Sequence, residues 1–190
     1  MTTKKTNKQK QEQLKKLIEK EKQYQIKYYE ETFKDCHPQA LELAKKVYGI
    51  YENAMLIAQD FPDEYAKQAV ICFFGFACGL FEDRFKALLP NKDAKPLEIK
   101  PTDKVSDYIN SVLNEIKRDC SEMGYTLAKK LLVEDFALFL AILKALDFPN
   151  TLLHNLLVSH FKMYTWLLVY HIKQSEHKEN ANATTENENN

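Results

Sequence analysis

Apolar residues along this chain recur three and four positions apart over long stretches, and prolines stand between the stretches. That spacing places side chains on one face of an α-helix. Prolines 38, 62, 90, 96, 101 and 149 all fall outside the periodic segments, where a residue without an amide hydrogen does no harm. The first predicted helix covers residues 11–33. Leu14, Leu17, Tyr24 and Tyr28 form a loose stripe interrupted by Glu21, and residues 24–33 are expected to dock on the body. The second covers 38–59, with Leu41, Ala44, Tyr48, Tyr51 and Ala54 or Met55 turned inward and Glu42 four residues before Lys46 as a surface pair.

Pro62 followed by Asp63 and Glu64 is a helix-start signal, because the acids suit the positive end of the helix dipole. The third helix then runs to residue 89. Its middle, 69–81, is apolar all round, which predicts a central helix buried on every side. Residues 90–102 carry three prolines and predict a long connection that carries the chain across the end of the bundle. A fourth stripe (Val105, Ile109, Val112, Ile116, Cys120, Met123, Leu127, Leu131) passes through Gly124, where a bend at 121–124 is expected. The apolar run 136–146 follows, and a last helix is predicted over 150–174. Asp-Phe-Pro occurs at 60–62 and again at 147–149, which reads as a common interhelical connector or as the trace of a duplicated hairpin.

These elements define an all-α chain: a single helical bundle of five to six helices (35–174), a protruding basic N-terminal helix (1–34) and a disordered acidic C-terminal tail (175–190). Composition agrees. Only 4 glycines in 190 residues leave few residues for β-hairpin turns, and neither GxGxxG nor GxxxxGK[ST] occurs. The longest runs free of charge are 14 residues, at 68–81 and 148–161, short of the ~18–20 that span a bilayer. No apolar segment follows the polar start, so a secretory signal is not expected. Four cysteines without a CxxC pair, three of them in apolar helical patterns, read as reduced core thiols of a cytoplasmic protein.

Net charge is zero only as a sum of unlike parts: 1–34 carries +5, 35–172 carries −3 and 173–190 carries −2. Lysines dominate, and Arg84 and Arg118 are the sole residues with the planar fork suited to phosphate and guanine. The basic, aromatic face of the first helix makes Lys15, Lys16, Lys20, Tyr24, Lys27 and Tyr28 candidates for partner binding.

Catalytic and metal constellations are hard to assemble. No Glu-x-x-His or His-x-x-x-His spacing occurs, and no cofactor is expected. His154, His160 and His171 read as core or boundary residues, with Tyr164 one turn beyond His160 as its partner. Cys36 beside His37 is a weak nucleophile pair, and Glu82 with Asp83 reads as a solvated helix end with an ion pair to Lys86. Glu134 and Asp135 interrupt an apolar stretch and read as helix-surface residues, the alternative being that one of them turns inward to meet Lys, Tyr or His. Gly75 and Gly79, flanked by Phe76, predict close helix packing, a dimer seam or a pocket that also involves His160 and Tyr164.

The functional expectation is a non-enzymatic interaction protein, an adaptor or accessory bundle able to self-associate. Two alternatives stand beside it: a nucleic-acid accessory protein acting through the Lys-rich helix, and a small-molecule binder with an apolar pocket between the third and last helices.

Overall fold

The structure is a computed structural model that describes residues 7–59, 64–100, 107–148 and 151–188. It is all-α, and no strand occurs among the described residues. The elements are α1 (Asn7–Thr32), α2 (Pro38–Ala58), α3 (Glu64–Leu88), α4 (Asp107–Asp119), α5 (Glu122–Lys129), a π-helical stretch (Lys130–Asp135), α6 (Phe136–Ala145) and α7 (Thr151–Glu188). Since α5, the π stretch and α6 run on without a break, the described chain forms six continuous helical stretches.

Local chemistry sets the boundaries. Pro38 opens α2, and the His37 ring accepts the Gln39 amide at 3.1 Å through Nδ1. This bond employs Nδ1 of the imidazole as a helix cap. Ser121 caps α5 by accepting the Gly124 amide at 3.1 Å. The expected bend therefore falls at Cys120 and Ser121, and it changes the helix phase. Met123 and Leu127, predicted inward, are exposed, while Gly124, Ala128, Leu131 and Leu132 are buried. A Cβ at Gly124 would run into Glu176 and Ile172 of α7, so this glycine permits close approach.

Arg84 of α3 closes the far end of α6. Its Nε donates to the Leu146 carbonyl and a terminal nitrogen to the Asp147 carbonyl, both at 2.8 Å. Asp147 itself takes a left-handed conformation, φ 42°, as chains leaving helices often do. The connection after α3 is strapped down. Gln39 donates to the Leu97 carbonyl at 2.8 Å and accepts the Leu97 amide at 2.7 Å. Leu97 and Ile99 then pack on the core.

One aromatic core ties α3, α6 and α7 together. Phe81 meets Phe139 at 5.3 Å, and Phe161 meets Phe136 at 4.6 Å and Phe139 at 4.7 Å. Such ring pairs stabilise by about 0.5–1.5 kcal/mol each beyond burial alone. The first helix joins this body from Lys22 onward: Lys22 pairs with Glu52 at 2.9 Å, and Tyr29 and Phe33 are buried. Docking thus falls to Tyr29 and Phe33, whereas Leu17, Tyr24 and Tyr28 of the predicted stripe face outward.

The last helix is longer than composition suggests. It continues to Glu188, where the polar 175–190 segment predicts an unordered tail. Glu176 supplies one reason, since its carboxylate accepts both the amide and the hydroxyl of Ser121 and so fastens α7 to the start of α5. Lys173 adds bonds to Glu115 at 2.6 Å and Asp119 at 3.3 Å.

Candidate interaction face on α3 and α7

The third helix is not buried on every side. Val70, Phe73, Phe74, Ala77, Cys78, Phe81 and Phe85 point into the core. Tyr65, Ala69, Cys72, Phe76 and Gly79, at steps of four, three, four and three, are all exposed. Tyr65 is 89% exposed and Phe76 54%. The apolar composition that predicted burial all round is real, but only one face of the helix is buried among the described residues.

α7 repeats the pattern. Leu157, Phe161, Tyr164, Leu168 and Ile172 are buried. Leu156, Ser159, Met163, Trp166 and Tyr170, at steps of three, four, three and four, are exposed. Trp166 stacks on Tyr170 at 6.0 Å with rings 13° apart. The two helices are antiparallel, because Phe81 meets Phe148 at 6.0 Å, Phe74 meets Phe161 at 5.6 Å and Phe73 meets His160 at 5.2 Å. Both stripes therefore lie on one side of the molecule, next to each other.

Between them runs a groove of about 340 Å³, lined by Phe73, Leu157 and His160 and flanked by Ala69, Cys72, Phe76, Leu156 and Met163. Its polar element is His160. The ring lies stacked on Phe73, 17° from coplanar, and Nδ1 is 2.9 Å from the Leu156 carbonyl. A carbonyl only accepts, so Nδ1 carries the proton and Nε2 is the free heteroatom. None of the ten stripe positions bears a charge.

Of the residues singled out by sequence, Phe76 and His160 line this groove. Gly75 and Gly79 do not pack inside the fold: both are exposed, and a Cβ at either would meet nothing within 4 Å. Tyr164 is buried edge-on against Phe74 at 5.0 Å and Phe161 at 5.8 Å, away from the pairing with His160 that spacing suggested. Lys16, Lys20, Tyr24, Lys27 and Tyr28 are exposed on α1, and the Lys15 side chain lies outside the described residues.

Two polar clusters complete the map. Asp135, at the end of the π stretch, turns inward while Glu134 stays exposed. The helix-surface reading thus fails for Asp135, which accepts a bond from the Asn53 amide at 3.1 Å. Burial raises its carboxyl above the usual range, and burial followed by the Asp135 charge raises the Tyr164 phenol. Glu82 is the residue that sequence misplaced. It is half-buried beside Tyr29, with the Tyr28 hydroxyl at 3.4 Å, and burial raises its carboxyl too. The expected partner Lys86 sits over the Phe33 ring at 5.8 Å. The signal for Glu82 was the tyrosine pair on another helix, which no local spacing reports. Burial also pushes the neighbouring Cys78 thiol up to about 12.

Among the described residues no three metal-ligating side chains gather, and no helix is long and apolar enough to cross a membrane. No protein-family model matches the chain, and neither curated proteins nor solved structures include a similar one.

Proposed function

We propose that the protein is a non-enzymatic interaction module that docks an apolar helical protein surface on the α3/α7 face. The observation that carries this reading is six large apolar side chains exposed side by side: Tyr65, Phe76, Leu156, Met163, Trp166 and Tyr170, each at least 43% exposed. At about 200 Å² per large side chain they leave roughly 650 Å² of exposed side-chain surface along the two neighbouring stripes. The largest patch on an ordinary monomer is about 300–600 Å², and a standard protein interface covers about 800 Å² per partner. Covering the face with a second apolar surface removes it from water at a gain of about 25 cal/mol per Å² before ordering costs.

The test places a photo-crosslinking amino acid at Phe76, at Trp166, and at the exposed α2 residue Lys46 as a control, in the full chain in cells. One protein adduct common to 76 and 166, absent at 46 and lost on adding Met163→Asp, is the expected result. No protein adduct, or adducts indifferent to Met163, overturns the reading. A small molecule retained in native mass spectra of the wild type and lost in Phe76→Glu overturns it in favour of a ligand groove.

A second reading rests on α1. Lys16, Lys20, Tyr24 and Lys27 follow one another at steps of four, four and three and are all exposed. Such a stripe suits a nucleic-acid backbone, with Tyr24 available for stacking. Fluorescence anisotropy with labelled RNA and DNA at low salt tests it: affinity falling steeply with salt supports it, and no binding rejects it.

A further inference from the structure

Resting on that reading of the α3/α7 face, we infer that its occupant is a second copy of this chain, related by a two-fold axis that runs across both helices past Cys72 and Met163. α3 then packs antiparallel on α3 of the other copy, and α7 antiparallel on α7.

The first argument is size complementarity under reversal. A two-fold interface must be self-complementary, since each patch meets itself turned around. The α3 stripe reads Tyr65, Ala69, Cys72, Phe76, Gly79. Reversed about Cys72, Tyr65 faces Gly79, Ala69 faces Phe76, and Cys72 faces itself. Each large ring meets a small residue. The α7 stripe, reversed about Met163, sets Trp166 against Ser159 and Tyr170 against Leu156.

The second argument is alignment. The two stripes have independent centres, Cys72 on α3 and Met163 on α7. A single axis serves both only if these centres stand at the same height in the bundle. They do to within about one helical turn, because Phe73, next to Cys72, stacks on His160, one turn before Met163.

The third is charge and backbone. The ten stripe positions are uncharged, so reversal sets no like charges together. The lysine stripe of α1 would repel itself in the same operation. Gly79 costs about 1 kcal/mol relative to Ala inside a helix, and among the described residues a Cβ there would meet nothing within 4 Å. A Tyr65 ring arriving from the second copy uses that space. The other two-fold, with its axis along the helices, lays α3 on α7 of the second copy. It sets Tyr65 on Tyr170 and Ala69 on Trp166, and leaves Gly79 without a ring to receive.

The experiment uses the purified full chain, with sedimentation velocity for mass and a short bis-maleimide for geometry. A dimer is expected, cross-linked through Cys72 and losing the cross-link in Cys72→Ser. In the Cys72→Ser background, Tyr65→Cys mixed with Gly79→Cys should cross-link, while Gly79→Cys alone should not. Two Gly79 positions lie about 14 residues apart along the seam, roughly 21 Å. Phe76→Glu should yield a monomer with unchanged helical circular dichroism. Gly79→Ala should raise the unfolding temperature of dilute monomer yet weaken association. A dimer whose Cys72 residues do not cross-link overturns the axis. A purified chain that stays monomeric at every soluble concentration, while 76 and 166 capture one protein in cells, overturns the second copy and leaves the docking face standing. A monomer with no adducts in cells overturns both.

Discussion

The inner and outer faces of α3 are built from the same kinds of residue and meet opposite fates. Inward, Phe73, Phe74, Ala77, Phe81 and Phe85 are buried. Outward, Tyr65, Ala69, Cys72, Phe76 and Gly79 stand in solvent. What separates them is the supply of neighbours. α2, α6 and α7 bury one side of α3, while Tyr65, Ala69, Cys72, Phe76 and Gly79 on the other stay exposed. The difference teaches that an all-apolar helix segment reports a demand for burial without saying which molecule meets it.

Phe81→Ala and Phe76→Ser separate the two faces with the largest contrast. Phe81 is fully buried against Phe85, Phe139 and Phe148, and its truncation should cost about 3–5 kcal/mol in chemical denaturation. Phe76→Ser should change monomer stability by no more than ~0.5 kcal/mol. Equal losses would mean that the outer face is covered within its own chain.

Asp135 and Glu134 repeat the comparison one residue apart. Asp135 is half-buried and its carboxyl is raised, chiefly by burial, so the native state holds this proton more tightly than the unfolded chain. Stability from this group is then fully present below the unfolded carboxylate pKa and is lost as pH rises through the raised native value. Asp135→Asn should therefore raise the unfolding temperature at neutral pH, with the gain vanishing in acid. Glu134→Gln should show no such pH dependence, and a matching profile in both variants would place Asp135 in solvent.

At the α5–α7 contact the sign reverses. Burial alone would raise the Glu176 carboxyl, but its bonds from Ser121 outweigh that and lower it. Its contribution is present above the unfolded pKa and lost as pH falls through the lowered native value. Ser121→Ala removes both the cap and this bond and should cost about 1 kcal/mol at neutral pH, less in acid. A small gain in stability belongs to Gly75→Ala. With open space around its Cβ position, this change should stabilise monomer by about 0.5–1 kcal/mol. A loss would show that Gly75 is in contact.

Much of the fold was legible because helix signals are local. Proline at 38, the bend at 121–124 and the three-and-four spacing of Ile109, Val112 and Ile116 depend on residues within a turn or two. Gly124 was legible as a bend, but the phase change behind it was not. A new cap restarts the helix rotation, so Met123 and Leu127 left the stripe that residues 105–120 began. Phe76 and His160 were legible as pocket candidates by their aromatic and small-residue surroundings. Glu82 was not, since the tyrosines that bury it lie 53 and 54 positions away in the chain.

By itself the sequence determined the class of fold and most of the boundaries between helices, because each of these follows from hydrogen-bond geometry and side-chain period along one short segment. Only the tertiary structure decided direction: which side of α3 faces the core, that Glu82 and Asp135 turn inward, that Gly75 and Gly79 stand open while Gly124 is closed. A helix repeats every 3.6 residues whatever surrounds it, but which of its faces loses water is settled by the neighbours that arrive.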